Sequence, residues 1–245
     1  EMSASLVGSE MCIRDSACLL KVPWSGSGKG LNWCLHGFTK PVSNWCERVL
    51  REQGCLTAEP IYNKVKDFAL EFYSDGRGEV RFAGYSVFST NEHGAYTGNL
   101  LASDGQIEES IACCLSLEKL TGIREALRAE LASIYGNTYT GYLGVDMMVC
   151  RSDKENGYRV HPCVEINMRM NMGVVARLFY DRFVALGSKG CFAVEYVPDN
   201  ETLRARHEQD VHDYPLTVEQ GRLASGYLPL VPVTGKSCYR AYVRI

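Results

Sequence analysis

This sequence of 245 residues lacks an excess of charge of either sign. Its 26 lysines and arginines stand against 29 aspartates and glutamates, a net charge of -3. That removes the electrostatic basis for binding nucleic acid or a membrane surface, so small-molecule chemistry becomes the default. No uninterrupted apolar run approaches the ~18 to 20 residues of a membrane span, and the chain reads as soluble. Among 11 cysteines there is no Cys-x-x-Cys pair, and no histidine lies at zinc-ligand spacing. Neither a zinc site nor a disulfide scaffold is expected. A reducing cytosol, where thiols behave as small hydrophobes, accounts for them, and the expected localisation is cytoplasmic. Internal repeats and low-complexity tracts are absent. The P-loop pattern fails at Pro23 and Gly30, and G-x-G-x-x-G fails at Leu31, which excludes two common phosphate loops.

What is present supports a folded chain. An apolar content of 46% builds a sizeable core, and the length suits one to two domains. Residues 3–16 (SASLVGSEMCIRDS) have neither helical nor strand periodicity and look like a translated sequencing-library adapter. Natural sequence is therefore expected to start near Ala17, with the chain an N-terminally truncated fragment. Beyond residues 1–16 two lobes are expected, 17–65 around a glycine loop and 66–245 around the later strands, with a C-terminal extension.

The expected fold class is α+β. Residues 17–22 read as a strand running into the loop PWSGSGKG, followed by a helix capped by Ser43 and ended by Gly54. From Asp67 to Tyr73 apolar and polar residues alternate, with Phe68, Leu70 and Phe72 on the core side, and a turn at 74–78 returns the chain as a hairpin. Ile107 to Ile134 recur at helical spacing, as one long helix or two joined near Gly122. Leu143, Val145, Met147 and Val149 mark a strand, with its partner at 160–169. A helix near 172–186, a strand near 191–197, a charged helix near 200–210 and a strand from Cys238 follow.

The second hairpin carries the most chemistry. Asp146 lies opposite its strand's apolar face, and Glu165, Asn167 and Arg169, two apart, share a face of the partner strand. Two carboxylates on adjacent strands repel unless a cation sits between them, and hard oxygen donors suit magnesium or manganese. Arg169 would then face phosphate. A salt-bridged surface hairpin shows the same alternation, and the pattern alone does not separate the two. In the earlier loop, Gly26, Gly28 and Gly30 let backbone amides approach phosphate oxygens, and Lys29 adds a positive charge. His161 shares the face of Glu165, but a lone histidine reads as structural. Met168, Met170 and Met172 read as packing.

Lys21 on a strand, the loop SGSGKG, and the late pair GVDMMV and VEINMRMNMG together resemble the ATP-grasp superfamily, over about residues 17–180. The resemblance implies antiparallel sheets with helices and a nucleotide held between two lobes. It implies that Lys21 and the loop Ser25, Gly26, Ser27, Gly28, Lys29 and Gly30 contact phosphates. Asp146, Glu165 and Asn167 would hold Mg2+ or Mn2+, and Arg169 would act with Lys21 on the transferring phosphoryl group. The segment Ala58–Tyr62, with Glu59 and Ile61, resembles the hinge that contacts adenine. The polar face of the next strand points Asp67 at the ribose, with Glu71 beside it, although an exposed strand face is the other reading. Met168 stands where many members have proline or threonine. A second phosphate-binding lysine, which members carry further upstream, has no counterpart in this sequence. The implied activity is an ATP- and magnesium-dependent, ADP-forming ligase that activates a small-molecule carboxylate as an acylphosphate for an amine or thiol acceptor. A kinase-like phosphotransferase on the same fold and a non-catalytic nucleotide-binding module are the alternatives. No nucleic acid or membrane partner is expected.

Overall fold

The three-dimensional structure, a computed structural model, describes residues 17–26, 30–91, 94–152 and 157–245. The chain divides into two compact units. The smaller runs to Tyr62 and takes in Thr90–Tyr96, and the larger comprises Asn63–Ser89 and Thr97–Ile245.

In the smaller unit, strands β1 (Cys18–Lys21), β2 (Leu31–Cys34) and β3 (Thr57–Pro60) form an antiparallel sheet in the order β2-β1-β3. Alternation along β1 sends Cys18 and Leu20 into a core with Cys34 and Cys46, while Leu19 and Lys21 face the other way. Helix α1 (Lys40–Gln53) contributes Val42, Trp45 and Cys46 to that core. Its N-cap is Thr39, with Pro41 in the first turn where its missing N–H costs nothing. Ser43, the expected cap, lies one turn inside and donates its backbone N–H to the Thr39 carbonyl at 2.9 Å. Gly54 ends the helix at φ 78°, donating to the Leu50 carbonyl at 3.0 Å. The glycine loop does not lead straight to this helix. It closes a hairpin, because β2 intervenes with Lys21 opposite Leu31.

The larger unit is built on an eight-stranded sheet. Its strands are β4 (Lys64–Asp75), β5 (Val80–Thr90), β6 (Tyr96–Leu101), β7 (Thr140–Arg151), β8 (Tyr158–Asn167), β9 (Gly190–Tyr196), β12 (Tyr227–Pro229) and β13 (Tyr239–Arg244). A short pair, β10 (Thr217–Glu219) and β11 (Arg222–Ser225), stands apart from it. The order is β12-β13-β9-β6-β5-β4-β7-β8. The β4–β5, β4–β7, β7–β8, β6–β9, β9–β13 and β12–β13 pairs run antiparallel.

Phe68, Leu70, Phe72, Leu143, Val145, Met147 and Val149 bury one face of this sheet against Ile107, Ile111, Leu120 and Leu131 of helices α2 (Asp104–Ala112) and α3 (Leu117–Tyr135). Each such side chain contributes about 1.5–3 kcal/mol. The two helices separate at residues 113–116, where the Ser116 side chain accepts from the Lys119 amide and caps α3. Gly122, the expected joint, lies inside α3.

Helix α4 (Met172–Phe183) starts over the opposite face, where Gly173 meets Glu71 and Ser86. Its apolar side joins Leu101, Phe192 and Val243 in a second core. Consequently Ala69 and Glu71, on the side of β4 expected to be polar and open, are buried. Helix α5 (Asn200–Asp213) adds Leu203 to the interior and Asp210 to a buried ion pair with Arg240. Among the described residues no helix is long and apolar enough to cross a membrane, and the ten described cysteines are free thiols.

Candidate functional site

In the larger unit the register places Asp146 on β7 directly opposite Glu165 on β8. Directly opposite residues of an antiparallel pair project to the same face, so the two carboxylates share one surface. The register shifts just beyond this pair, and Met148 is next opposed by His161. The slip spans an even number of residues on both strands, so His161 keeps the face of Glu165 as the alternation implied.

Asn167, the last residue of β8, donates its side-chain amide to Asp146 Oδ2 at 3.1 Å. Arg169 lies past the end of the strand, but its Nη2 donates to Asn167 Oδ1 at 3.0 Å. A continuous chain of polar contacts thus runs from Arg169 through Asn167 to Asp146, with Glu165 exposed beside it. Asp67 on β4 is opposed by Met148 and makes an ion pair with Lys64 at 2.5 Å. The structure therefore gathers Asp67, Asp146, Glu165, Asn167 and Arg169 on one side of the larger sheet.

The electrostatics of this surface are unbalanced. The Asp146 carboxyl is pushed up to about 7, by burial first and then by the Glu165 and Asp67 charges, against the opposing Asn167 hydrogen bond and Arg169. Two carboxylates in direct register, one of them raised toward neutrality, form a donor set that a divalent cation would relieve. Among the described residues no three or more His, Cys, Asp or Glu side chains converge in a metal-holding group. The set is thus two carboxylates and an amide. That fits magnesium, which is usually held by one or two protein carboxylates and completes its shell with water and phosphate oxygens.

Two residues take a place here other than the one expected: Glu71, expected beside Asp67 on a strand face open to the ribose, is buried, and Asn171 was not expected in the site. Glu71 is 1% exposed, and Asn171, the N-cap of α4, donates to its Oε2 at 2.9 Å. The Glu71 carboxyl is pushed up to about 8, chiefly by burial, with the Asn171 bond opposing and the Asp146 charge adding to the rise. The available signal was the pair of glycines, Gly144 and Gly173. A Cβ at Gly144 would lie 2.6 Å from Glu71 Oε2, and one at Gly173 would lie 2.2 Å from Oε1.

In the smaller unit Lys21 and Glu59 share a sheet face, and Lys21 Nζ lies 2.6 Å from Glu59 Oε2. The phosphate-binding and hinge residues expected from the sequence are thus each other's partners here. Ser25 Oγ donates to the Val22 carbonyl at 3.4 Å. Gly30 closes the β1–β2 hairpin at φ 78°, where a Cβ would meet Val22 Cγ2 at 2.1 Å. At Gly26 a Cβ would meet nothing within 4 Å. Ser27, Gly28 and Lys29 lie outside the described residues. Ile61 follows β3 at the end of the smaller unit.

No protein-family model and no curated protein matches the chain. Solved structures do. The biotin carboxylase domain of the Hydrogenobacter thermophilus 2-oxoglutarate carboxylase, solved with magnesium ADP, ADP and bicarbonate, matches with a TM-score of 0.53 at 13% identity. The match covers 95% of this chain and 54% of that one. The chain has the ATP-grasp fold. Staphylococcus aureus N5-carboxyaminoimidazole synthetase with ADP gives a TM-score of 0.53 at 12% identity, covering 92% and 57%. N5-carboxyaminoimidazole synthase from Aspergillus clavatus, with ADP and 5-aminoimidazole ribonucleotide, gives 0.52 at 12%, covering 93% and 56%. The chain thus spans about half the length of these ATP-grasp structures. At such identities the likeness shows the fold alone.

Proposed function

We propose that this chain is the nucleotide- and metal-binding part of an ADP-forming ligase that activates a carboxylate as an acylphosphate for attack by an amine or thiol. The observation that carries the reading is the in-register pair Asp146 and Glu165, joined through Asn167 to Arg169. It sits on a fold whose solved examples named above were crystallised with ADP.

Asp146, Glu165 and Asn167 would hold Mg2+ or Mn2+, which neutralises phosphate charge when bound. For the Asn167 oxygen to serve as a ligand its side-chain amide turns over, exchanging its present contacts with Asp146 and Arg169. Arg169, freed from Asn167, would bind phosphoryl oxygens with its planar fork of donors. Lys21 would leave Glu59 for the nucleotide phosphates, with Ser25 to Gly30, including Ser27, Gly28 and Lys29, supplying backbone donors. Glu59 and Ile61 would border the adenine, and Asp67 the ribose.

In the reaction, a carboxylate oxygen attacks the γ-phosphorus and the bond to the β,γ-bridging oxygen breaks, giving acylphosphate and ADP. The amine or thiol then attacks the acyl carbon and phosphate leaves. The chain's contribution is positioning and charge neutralisation.

Calorimetry on the Glu165→Gln variant tests the metal and nucleotide assignment. Magnesium-dependent ATP affinity is expected to fall by roughly 10- to 100-fold, the order of loss when a metal site is disturbed, with the far-ultraviolet circular dichroism unchanged. Equal affinity in variant and parent overturns it. With the complete protein, hydroxylamine trapping separates an acylphosphate from the stable phosphorylated product of a kinase.

A further inference from the structure

A buried carboxyl is costly unless its oxygens are matched, and Glu71 is only half matched. Its Oε2 accepts one hydrogen bond, from Asn171 Nδ2, while Oε1 is buried with no partner. Among the described residues no lysine or arginine pairs with it. The packing nevertheless makes room for it on both sides, through Gly144 of the neighbouring strand and Gly173 of α4.

Asn171 uses both ends of its amide. Oδ1 accepts from the Val174 amide at 2.9 Å and caps α4, while Nδ2 reaches Glu71 in the centre of the sheet. Asn171 is also the second residue after Arg169. The backbone that carries Asn167 and Arg169 is therefore held at one end by the β7–β8 pairing and at the other by Asn171, which is tied to α4 by its cap and its backbone carbonyl and to the sheet by its side-chain bond to Glu71.

We propose that Glu71 is a positioning residue, whose carboxyl acts as a buried anchor for Asn171 and thereby fixes the segment that presents Asn167 and Arg169 to phosphate and metal. Its effect on ligand binding rests on the nucleotide reading above, and the anchoring itself does not. The anchor works as an uncharged group. A neutral carboxyl still accepts from Asn171 through its carbonyl oxygen and leaves no buried charge beside an unmatched Oε1. Burial, which raises the Glu71 pKa to about 8, acts in the same sense.

Three variants of the full chain test this, Glu71→Gln, Glu71→Leu and Asn171→Ser. The readouts are the amide resonances of residues 167–171 in ligand-free protein and magnesium-ATP affinity. Glutamine keeps the acceptor and the neutrality, so its resonances should stay at the parent positions and its affinity within about threefold. Leucine fills the space without the acceptor, so the 167–171 resonances should move and broaden while those of α2 and α3 hold, and affinity should drop about tenfold, the worth of one buried hydrogen bond. Serine at 171 keeps a capping side chain but cannot reach Glu71 as the asparagine amide does, and should behave as the leucine variant. It decides the matter if the leucine variant fails to fold. Parent-like resonances in both Glu71→Leu and Asn171→Ser overturn the proposal, as does a Glu71→Gln variant as impaired as Glu71→Leu, since then the charge is what matters. A parent chain that binds no magnesium-ATP defeats the nucleotide reading, while the spectra still judge the anchor.

Discussion

The β1–β2 hairpin and the β7–β8 hairpin treat charge in opposite ways. In the first, the one lysine of the strand already has a carboxylate within 2.6 Å, so the charge at Lys21 is already matched. In the second, two carboxylates stand in register, and an amide and a guanidinium only partly offset them. A phosphate arriving at Lys21 must displace a partner, whereas a cation arriving between Asp146 and Glu165 removes a repulsion. The two hairpins should therefore respond differently to ligand removal, to pH and to substitution.

The largest expected effect is on the second hairpin. Asp146 and Glu71 have folded pKa values raised to about 7 and about 8, above their unfolded values near 3.9 and 4.3. A carboxyl raised in this way favours the folded state most when protonated. Its contribution is complete below the unfolded pKa and is lost as pH rises through the folded one. Ligand-free protein should thus lose a few kcal/mol between about pH 4 and pH 8 from these two groups. Asp146→Asn should flatten that slope and raise the melting temperature at pH 8, while abolishing the stabilisation conferred by magnesium. Denaturation at several pH values with and without EDTA checks this. A slope unchanged in the variant would remove Asp146 from the account.

Next in size is the backbone of the first hairpin. Gly30→Ala places a side chain at φ 78° and against Val22, so it should destabilise the smaller unit by about 1–3 kcal/mol. Hydrogen exchange at residues 18–34 should rise with little change at residues 140–167.

The smallest stability effect is expected at Lys21. Its ion pair is partly exposed, so Lys21→Met should shift stability by less than about 1 kcal/mol in either direction. It should nevertheless lose most of the thermal stabilisation that ATP confers. Glu59→Gln, which releases Lys21, should instead raise ATP affinity by a few-fold. Equal ATP-induced shifts in parent and Lys21→Met would break the contrast between the hairpins.

Strand β7 was legible because Leu143, Val145, Met147 and Val149 alternate with the residues between them, and in its partner the two-residue spacing of Glu165 and Asn167 gave their common face. Arg169 was legible by spacing, although it lies beyond the strand and reaches the site through Asn167. Strand β2 was not, since Leu31 to Cys34 is short and follows directly on glycine. The burial of Glu71 was illegible for a different reason. Whether a polar strand face meets water depends on what lands on it, and the cap of α4, Asn171, comes 100 residues later in the chain. The region 107–134 reads as one helix or two joined near Gly122, but the break falls before Ser116, which supplies the cap that sets the boundary of α3.

The tip of the β5–β6 hairpin, Thr90–Tyr96, belongs to the smaller unit although both its strands stand in the larger sheet. Gly94, at φ 81°, sits where a Cβ would lie 2.9 Å from Leu31 on β2. The smaller unit is therefore not a continuous stretch that ends at Tyr62. Severing the chain after Tyr62 leaves the N-terminal piece without the tip that packs on Leu31, and leaves that tip in the other piece with its apolar neighbour gone. Excision, swapping or separate expression of either unit has to carry Thr90–Tyr96 across the cut, and a circular permutation that opens the chain between β5 and β6 is the rearrangement this fold should tolerate least.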